Sequence, residues 1–227
     1  MDPSGGPGDE GLSAVEAVPP EIRDLLVEAA AWRLLGLLLE RPREGWRREV
    51  EDLTRECRDP DLAASVDAAR DEASEGLYLA ILGPGGVVSA REVSYRGMED
   101  PGRILADLEA FYGAFAFTPR TEEAPDHLAV EAGFVGYLRL KEAFARTQGE
   151  DEKAATAAAA ASRFLADHVS SSVQPFAERI ATTEVRYLTL AAQALARRVG
   201  PPRAMLSAGV SPPVLCDDPC SFDCGEG

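Results

Sequence analysis

The chain has 227 residues, 45% of them hydrophobic, so it is long enough to bury one large core. Its formal net charge of −16 argues against nucleic-acid binding, which requires a basic face to neutralise phosphates. No apolar run reaches the roughly 20 residues that span a bilayer, and the acidic N-terminus lacks the basic and apolar regions of a secretory signal. We therefore expect a cytoplasmic protein without stable membrane insertion, whose acidic surface serves solubility or attracts a basic partner.

The first elements in chain order are a predicted tail and three helical segments. Residues 1–20 are acidic, rich in Gly and Pro, and show no periodicity, which is typical of a disordered tail. A helix is predicted from Pro19-Pro20 to about Glu40, and its second half is apolar on nearly all sides, as in a helix inside a bundle. Two further helical segments are predicted over about 44–57 and 60–82.

The second half of the chain is also predicted to be helical. The four predicted segments begin near Pro101, run from about Pro125 to Thr147, and cover about 153–180 and 183–199. Strand-like alternation is nearly absent. The sequence therefore predicts an all-α fold: a single multi-helix bundle over residues 21–200, followed by a Pro- and Cys-rich tail over 201–227.

The most distinctive stretch is Glu123-Ala-Pro-Asp-His-Leu-Ala-Val-Glu131, which contains one of the chain's two histidines. Pro125 is expected to begin a helix, where unpaired backbone N–H groups favour a carboxylate such as Asp126. His127 and Glu131 are four residues apart and would share one helix face. The three acids could then present negative charge to a basic peptide beside an apolar cleft. The alternative is structural, with Asp126 capping the helix and His127 bonded to a neighbouring loop.

This stretch resembles the Glu-Pro-x-Asp-His signature of the TorD/DmsD/NarJ family of chaperones. Leu77–Gly85 is similar to the family's Tyr-x-x-Leu-Phe-x-Gly-Pro element, and the loop after it ends near Tyr95. The other similar segments are Ala31–Leu39, Leu108–Phe115, Phe164–His168 and Pro175-Phe176. The chain departs from the family where Ala124 replaces the first Pro of the usual Glu-Pro-Pro-Asp-His, and where the usual Phe before Gly83 is absent. These departures bear on client specificity more than on fold.

The resemblance implies a non-enzymatic chaperone, a monomer or dimer, that needs no cofactor. Its client would be the N-terminal segment, with or without a twin-arginine signal, of an apo molybdopterin oxidoreductase catalytic subunit, whose maturation and cofactor insertion it would assist. The residues expected to contact this client peptide are Leu82, Gly83, Pro84, Tyr95, Glu123, Asp126, His127 and Glu131.

Catalysis has little support in the sequence. Neither His127 nor His168 has neighbours that would build a nucleophile with an oriented base. The glycine-rich stretch 83–86 lacks the Lys-Ser/Thr of a phosphate-binding loop.

The C-terminal cysteines are not explained by the resemblance. Cys216, Cys220 and Cys224 lie in a Pro- and Gly-rich stretch, and their thiolates could together bind Zn or an Fe–S cluster. A redox-sensitive disulfide and an unoccupied tail are the alternatives, whereas Cys57 is expected to be an inert packed thiol. Two other functions therefore stay open: an assembly factor that carries metal on these cysteines, and a helical regulatory protein without a molybdoenzyme client.

Overall fold

Helices occupy most of residues 18–201, the part of the chain that the computed structural model describes. The α-helices in this range are α1 (Pro20–Leu39), α2 (Trp46–Glu56), α3 (Pro60–Glu72), α4 (Glu75–Ile81), α5 (Pro101–Ala114), α6 (Leu128–Thr147), α7 (Asp151–Phe164), α8 (Ser170–Ala181) and α9 (Arg186–Val199). A 3-10 turn covers Glu92–Ser94, and a π-helical turn, Leu165–Val169, joins α7 to α8. The predicted all-α fold is confirmed.

Helices α1 and α6 form the centre of the bundle. Both are 20 residues long, and the second half of α1 is buried on all sides from Leu34 to Leu39. Their backbones come close because glycines lie at the contact. A Cβ built on Gly36 would lie 2.8 Å from the carbonyl oxygen of Ala129, and one on Gly136 would lie 3.0 Å from that of Ala29.

The remaining helices cover this central pair. Helix α7 packs on α6, α2 packs on α1, and α9 packs against α3 and α8. The aromatic rings of α5, α6 and α7 meet in the core, where Phe134 lies 4.8 Å from Phe164 and 4.9 Å from Tyr112 between ring centroids. None of the helices within residues 18–201 has the length and hydropathy that crossing a membrane requires.

Two predicted helix boundaries were wrong. The segment 60–82 is two helices, because Ala73 adopts an extended backbone and the Ser74 hydroxyl accepts a hydrogen bond from the N–H of Leu77, which starts α4. Helix α6 begins at Leu128 rather than at Pro125. The backbone before it is instead bonded to the loop that follows α4.

The predicted tails lie almost wholly outside the described residues. Val18 and Pro19 precede α1, and α9 ends before Gly200. The cysteines proposed as metal ligands, at 216, 220 and 224, are also outside this range.

Candidate functional site

The segment before α6 is bonded to the loop that follows α4, residues 83–95. Arg91 and His127 form an isolated antiparallel β-bridge. Beside it, the N–H of Glu92 donates to the carbonyl oxygen of Asp126 at 2.8 Å. The sequence stretch with the signature and the loop with the Gly-Pro element, which are more than 30 residues apart in the chain, therefore form one unit.

Asp126 holds the 83–95 loop in place. Its carboxylate is fully buried and accepts a hydrogen bond from Nε of Arg91 at 2.5 Å and a longer one, 3.4 Å, from the N–H of Val93. Such charge-assisted bonds are stronger than neutral ones. Asp126 was predicted to present its charge at the start of α6, but the structure buries that charge in an ion pair with the loop.

His127 caps α6. Its Nδ1 accepts a hydrogen bond from the N–H of Ala129 at 3.1 Å, while Nε2 lies 3.4 Å from the hydroxyl of Tyr78 and 3.8 Å from Oε2 of Glu123. Burial lowers the pKa of His127 to about 4, although Glu123 and Asp126 act in the opposite direction. The ring is therefore neutral at pH 7, and because Nδ1 accepts, Nε2 carries the proton.

Glu131 lies in a buried cluster with Glu92 and His168. Oε2 of Glu92 is 3.1 Å from Nδ1 of His168, and its Oε1 is 3.5 Å from Nε of Arg96. Neither oxygen of Glu131 accepts a hydrogen bond from any group in the described part of the chain. Burial, reinforced by the charges of Glu92 and Asp126, raises the pKa of Glu131 well above its ordinary value. The neighbouring carboxylates thus disfavour the charged form of Glu131.

The predicted contact residues therefore divide into buried and accessible ones. Those buried are Leu82, Gly83, Asp126, His127 and Glu131. Tyr95 is half-buried, and its hydroxyl donates to the carbonyl oxygen of Ser89, which fixes the loop internally. Pro84 is exposed and Glu123 is partly so.

Pro84 and Glu123 line a shared surface groove of about 530 Å³, together with Tyr78, Leu79 and Glu122. We call it the Pro84 groove. Leu79 is 41% exposed there, and the lining also carries three arginines, Arg41, Arg43 and Arg120, of which Arg41 lies 3.6 Å from Glu122. Pro84 and Glu123 thus lie at one surface, and their contact with a client peptide stays a prediction.

A second groove, which the sequence analysis missed, runs between α1 and α6. It has a volume of about 680 Å³ and is mainly apolar, with a lining that includes Leu26, Ala30, Phe117, Val130, Gly133 and Leu140. We call it the α1–α6 groove. Leu26 is 39% exposed and Leu140 is 49% exposed, and Phe144, one turn further along α6, is 64% exposed. The sequence pattern did not indicate this exposed stripe near the C-terminal end of α6.

A third depression, of about 1210 Å³, lies between α5 and the π-helical turn and is lined by apolar side chains, among them Phe111 and Phe115, and by ion pairs. Arg163 donates to the carboxylate of Asp167 at 3.1 Å, and Arg96 donates to the Asp167 carbonyl at 2.8 Å and to Glu99 at 3.1 Å. These arginines already have protein acceptors.

Of the four cysteines, only Cys57 lies within the described residues. Cys57 ends α2 and is half-buried, and burial raises the pKa of its thiol to about 11, which agrees with an inert packed thiol. Between residues 18 and 201, no three His, Cys, Asp or Glu side chains are grouped so as to hold a metal ion. The Zn or Fe–S site at Cys216, Cys220 and Cys224 stays a prediction.

The described residues form an all-α bundle with surface grooves. Sequence comparison assigns it more closely: the chain belongs to the nitrate reductase delta subunit family, which matches residues 44–178. It is also similar to the chlorate reductase assembly chaperone protein of Ideonella dechloratans, with 32% identity over 151 residues, 63% of this chain and 71% of that protein. No solved structure matches the chain significantly. These matches confirm the family inferred from the signature, and with it a non-enzymatic chaperone.

Proposed function

We propose that this protein is an assembly chaperone for a molybdopterin oxidoreductase. It binds the N-terminal segment of the apo catalytic subunit, with or without a twin-arginine signal, and holds that subunit until its cofactor is inserted. The observation that carries the proposal is the exposed apolar α1–α6 groove in a chain of this family. The similarity to a chlorate reductase assembly chaperone supports an oxidoreductase as the client.

The α1–α6 groove suits an apolar segment better than a small polar ligand. Its volume of about 680 Å³ is enough for several side chains, and its rim carries Leu26 and Leu140. An amphipathic helix laid in such a groove would bury side chains at i, i+3 and i+4 positions. The free energy of binding would come mainly from removing these apolar groups from water.

The signature residues bear on the Pro84 groove, which is lined by a residue of the 83–95 loop. Asp126 and His127 fix the 83–95 loop and the start of α6, and Glu131 packs beneath them against Glu92. We therefore assign client contact to Pro84 and Glu123. The other six predicted contact residues position these two. They are Leu82, Gly83, Tyr95, Asp126, His127 and Glu131.

The test begins with the native client. The chain, expressed in its own host, is used to capture its partner, which is identified by mass spectrometry. The affinity of the partner's N-terminal 25-residue peptide is then measured by isothermal titration calorimetry against wild type, Leu140→Glu and Met98→Glu. Met98 is fully exposed and lines none of the grooves described, so it provides a matched control.

Leu140→Glu should weaken binding at least tenfold, because it places a carboxylate in the apolar lining. Met98→Glu should bind as the wild type does. Capture of a partner that is not an oxidoreductase would contradict the proposed client, and equal affinity of Leu140→Glu and wild type would contradict the proposed groove.

A further inference from the structure

The α1–α6 groove leaves large apolar side chains uncovered within the described part of the chain. Leu26 of α1 and Leu140 of α6 both line it and are 39% and 49% exposed, and Phe144, one turn further along α6, is 64% exposed. These three side chains lie at the same end of the groove, because α1 and α6 run in opposite directions there. A concentration of exposed apolar side chains marks an interaction site.

The C-terminal end of α9 lies close to this end of the groove. Arg198 donates to both carboxylate oxygens of Glu28, each at 2.9 Å. Glu28 is two residues away from both Leu26 and Ala30, which line the groove. A helix with its side chains is about 10 Å wide. The chain therefore leaves α9 at a neighbouring side of α1, about one helix width from the groove.

The residues that follow α9 have a composition that suits the groove. Residues 202–227 lie outside the described range, but their sequence shows that 204–215 carry no charged side chain. Two acids, Asp217 and Asp218, come directly after this stretch. Residues 1–17, which precede α1, match the groove less well, because they contain four acids among only three large apolar residues. The large apolar residues of 204–215 are Met205, Leu206, Val210, Val214 and Leu215.

The stretch 204–215 is also long enough to follow the whole groove. An extended chain spans about 3.3 Å per residue, so the four residues after Pro201 cover about 13 Å and bring Met205 to the groove. Along α1 the groove runs from Leu26 to Glu40, which is about 21 Å at the rise of an α-helix. The ten residues from Met205 to Leu215 span up to about 33 Å. The apolar stretch can therefore reach from one end of the groove to the other.

The far end of the groove carries a cation that suits the two acids. Arg120 lines both the α1–α6 groove and the Pro84 groove, is exposed, and forms no ion pair with any residue from 18 to 201. Exposed ion pairs contribute little to stability. Asp217 and Asp218 would therefore fix the direction of the segment, while burial of its apolar side chains would hold it in place.

We propose that residues 204–215 occupy the α1–α6 groove of their own chain, with Met205 and Leu206 at the Leu26 end and the acids that follow beside Arg120. A tethered segment has an effective concentration on the order of 1 mM, so even a dissociation constant of about 0.1 mM would keep the groove covered in roughly nine molecules of ten. The contact is autoinhibitory if the proposed function holds, because a client segment then enters the groove only by displacing residues 204–215.

The first test maps the contact by photocrosslinking in the full chain at micromolar concentration. Benzoylphenylalanine is placed at Leu140, at Thr121 near the other end of the groove, or at Met98, which is fully exposed and lines none of the grooves described. Trypsin cuts after Arg23 and Arg203, so residues 1–23 and 204–227 are recovered as separate peptides.

Mass spectrometry should then locate two different crosslinks within one chain. The probe at Leu140 should react near Met205 and Leu206, and the probe at Thr121 should react within 214–218. The probe at Met98 should give no crosslink to 204–227. Crosslinks to residues 1–23, or crosslinked dimers, would show a different occupant and overturn the proposal, and the reverse order of the two sites would overturn the proposed direction.

The second test measures how much of the groove is covered, with the apolar dye anilinonaphthalene sulfonate. Leu206→Ser with Leu215→Ser should raise the dye fluorescence of the full chain at least threefold, because the groove opens. Adding Leu140→Glu should remove most of this rise, since it places a charge in the dye site. Ser207→Ala with Ser211→Ala lies in the same stretch, keeps its apolar residues, and should leave the fluorescence as in wild type.

Neither test requires the client, so the proposal fails or stands apart from the proposed function. Unchanged dye fluorescence in Leu206→Ser with Leu215→Ser, together with no crosslink to 204–218, would show that the groove is open and overturn the proposal. The client assignment would then still rest on the calorimetry of Leu140→Glu. If instead both tests succeed and no client peptide binds the groove, the groove serves residues 204–215 and the proposed client site is wrong.

Discussion

His127 and Asp126 exchange the roles that the sequence suggested for them. The imidazole rather than the carboxylate caps α6, and the carboxylate rather than the imidazole bonds the loop. A neutral histidine can cap because Nδ1 accepts a hydrogen bond, and its Nε2–H then points towards Tyr78. The cap therefore depends on the ring remaining neutral.

The first prediction concerns the acid stability that follows from this cap. The pKa of His127 is lowered from 6.5 to about 4, so its contribution to stability is fully present above pH 6.5 and is lost as pH falls through 4. His127→Ala should cost about 1 to 2 kcal/mol at pH 7.5 by loss of the cap. His127→Asn, which retains a capping oxygen, should cost less and should lack this histidine's part of the acid destabilisation.

Urea unfolding of the three proteins at pH 7.5, 6 and 5 measures these effects. The stability difference between wild type and His127→Asn should shrink as pH falls. A constant difference across this range would show that the ring is not held neutral.

The second prediction compares two buried glutamates of α6. Glu131 lacks a donor among the described residues, whereas Glu142 accepts from Arg139 and Arg146, both at 2.9 Å. A raised pKa means that the contribution of Glu131 is fully present below about pH 4.5 and is lost as pH rises through its folded value. Glu131→Gln should therefore gain stability relative to wild type as pH rises from 5 to 8.

Glu142→Gln should have the opposite effect and lower the stability of the protein. It should cost about 1 to 3 kcal/mol at pH 7, because two charge-assisted hydrogen bonds are weakened. Guanidinium unfolding of both variants at several pH values is the measurement. Parallel pH profiles for wild type and Glu131→Gln would contradict the raised pKa of Glu131.

At the scale of helices, the close contact between α1 and α6 requires glycine at some positions and leaves room for a side chain at others. At Gly36 a Cβ would meet a carbonyl oxygen of the partner helix at 2.8 Å, and backbone atoms cannot move aside cheaply. At Gly133, in contrast, the nearest atom is the end of the Arg33 side chain, at 3.9 Å. Gly133 lies in the lining of the α1–α6 groove, where space is left open.

The third prediction compares substitutions at Gly36 and Gly133. Gly36→Ala should destabilise the protein by about 1 to 3 kcal/mol, since overpacking forces the two helices apart. Gly133→Ala should stabilise it by about 0.5 to 1 kcal/mol, because alanine has the higher helix propensity. Equilibrium denaturation of the two variants decides the matter, and equal effects would mean that the helices do not approach as closely as described.

Helix starts were predictable wherever proline marked them. Pro20, Pro60 and Pro101 each lie at the first position of a helix, as the sequence indicated. Pro125 misled the same reasoning, because bonding of the 83–95 loop to Asp126 and His127 delays α6 until Leu128. A local rule fails where a tertiary contact competes with it.

The sequence predicted which segments meet at the site, but it did not predict how deeply their residues are buried. The signature and the Gly-Pro element do meet, but burial of Asp126, His127 and Glu131 depends on helices and a loop distant in the sequence. Nothing in the sequence indicated that Glu40 is buried. An acid at the end of a helix is usually solvated, and only the fold shows that it is enclosed between two grooves.

At the scale of the whole molecule, the net charge and the grooves make separable contributions to binding. The charge of −16 acts at long range and attracts a basic segment during approach. The apolar groove acts only in contact and governs how slowly the bound segment leaves. The rates of association and dissociation should therefore respond to different changes.

The last prediction uses the salt concentration to separate the effect of the net charge from that of the apolar groove. The Debye length shrinks from about 10 Å at 0.1 M to about 3 Å at 1 M, so the association rate of a basic client peptide should fall steeply over this range. Leu140→Glu should raise the dissociation rate and leave the salt dependence of association almost unchanged. Stopped-flow fluorescence with the labelled N-terminal client peptide measures both rates, and a sequence-matched peptide with its basic residues replaced by glutamine is the control. A salt-independent association rate for the basic peptide would show that the acidic surface serves solubility alone, and that recognition begins only when apolar side chains reach the groove.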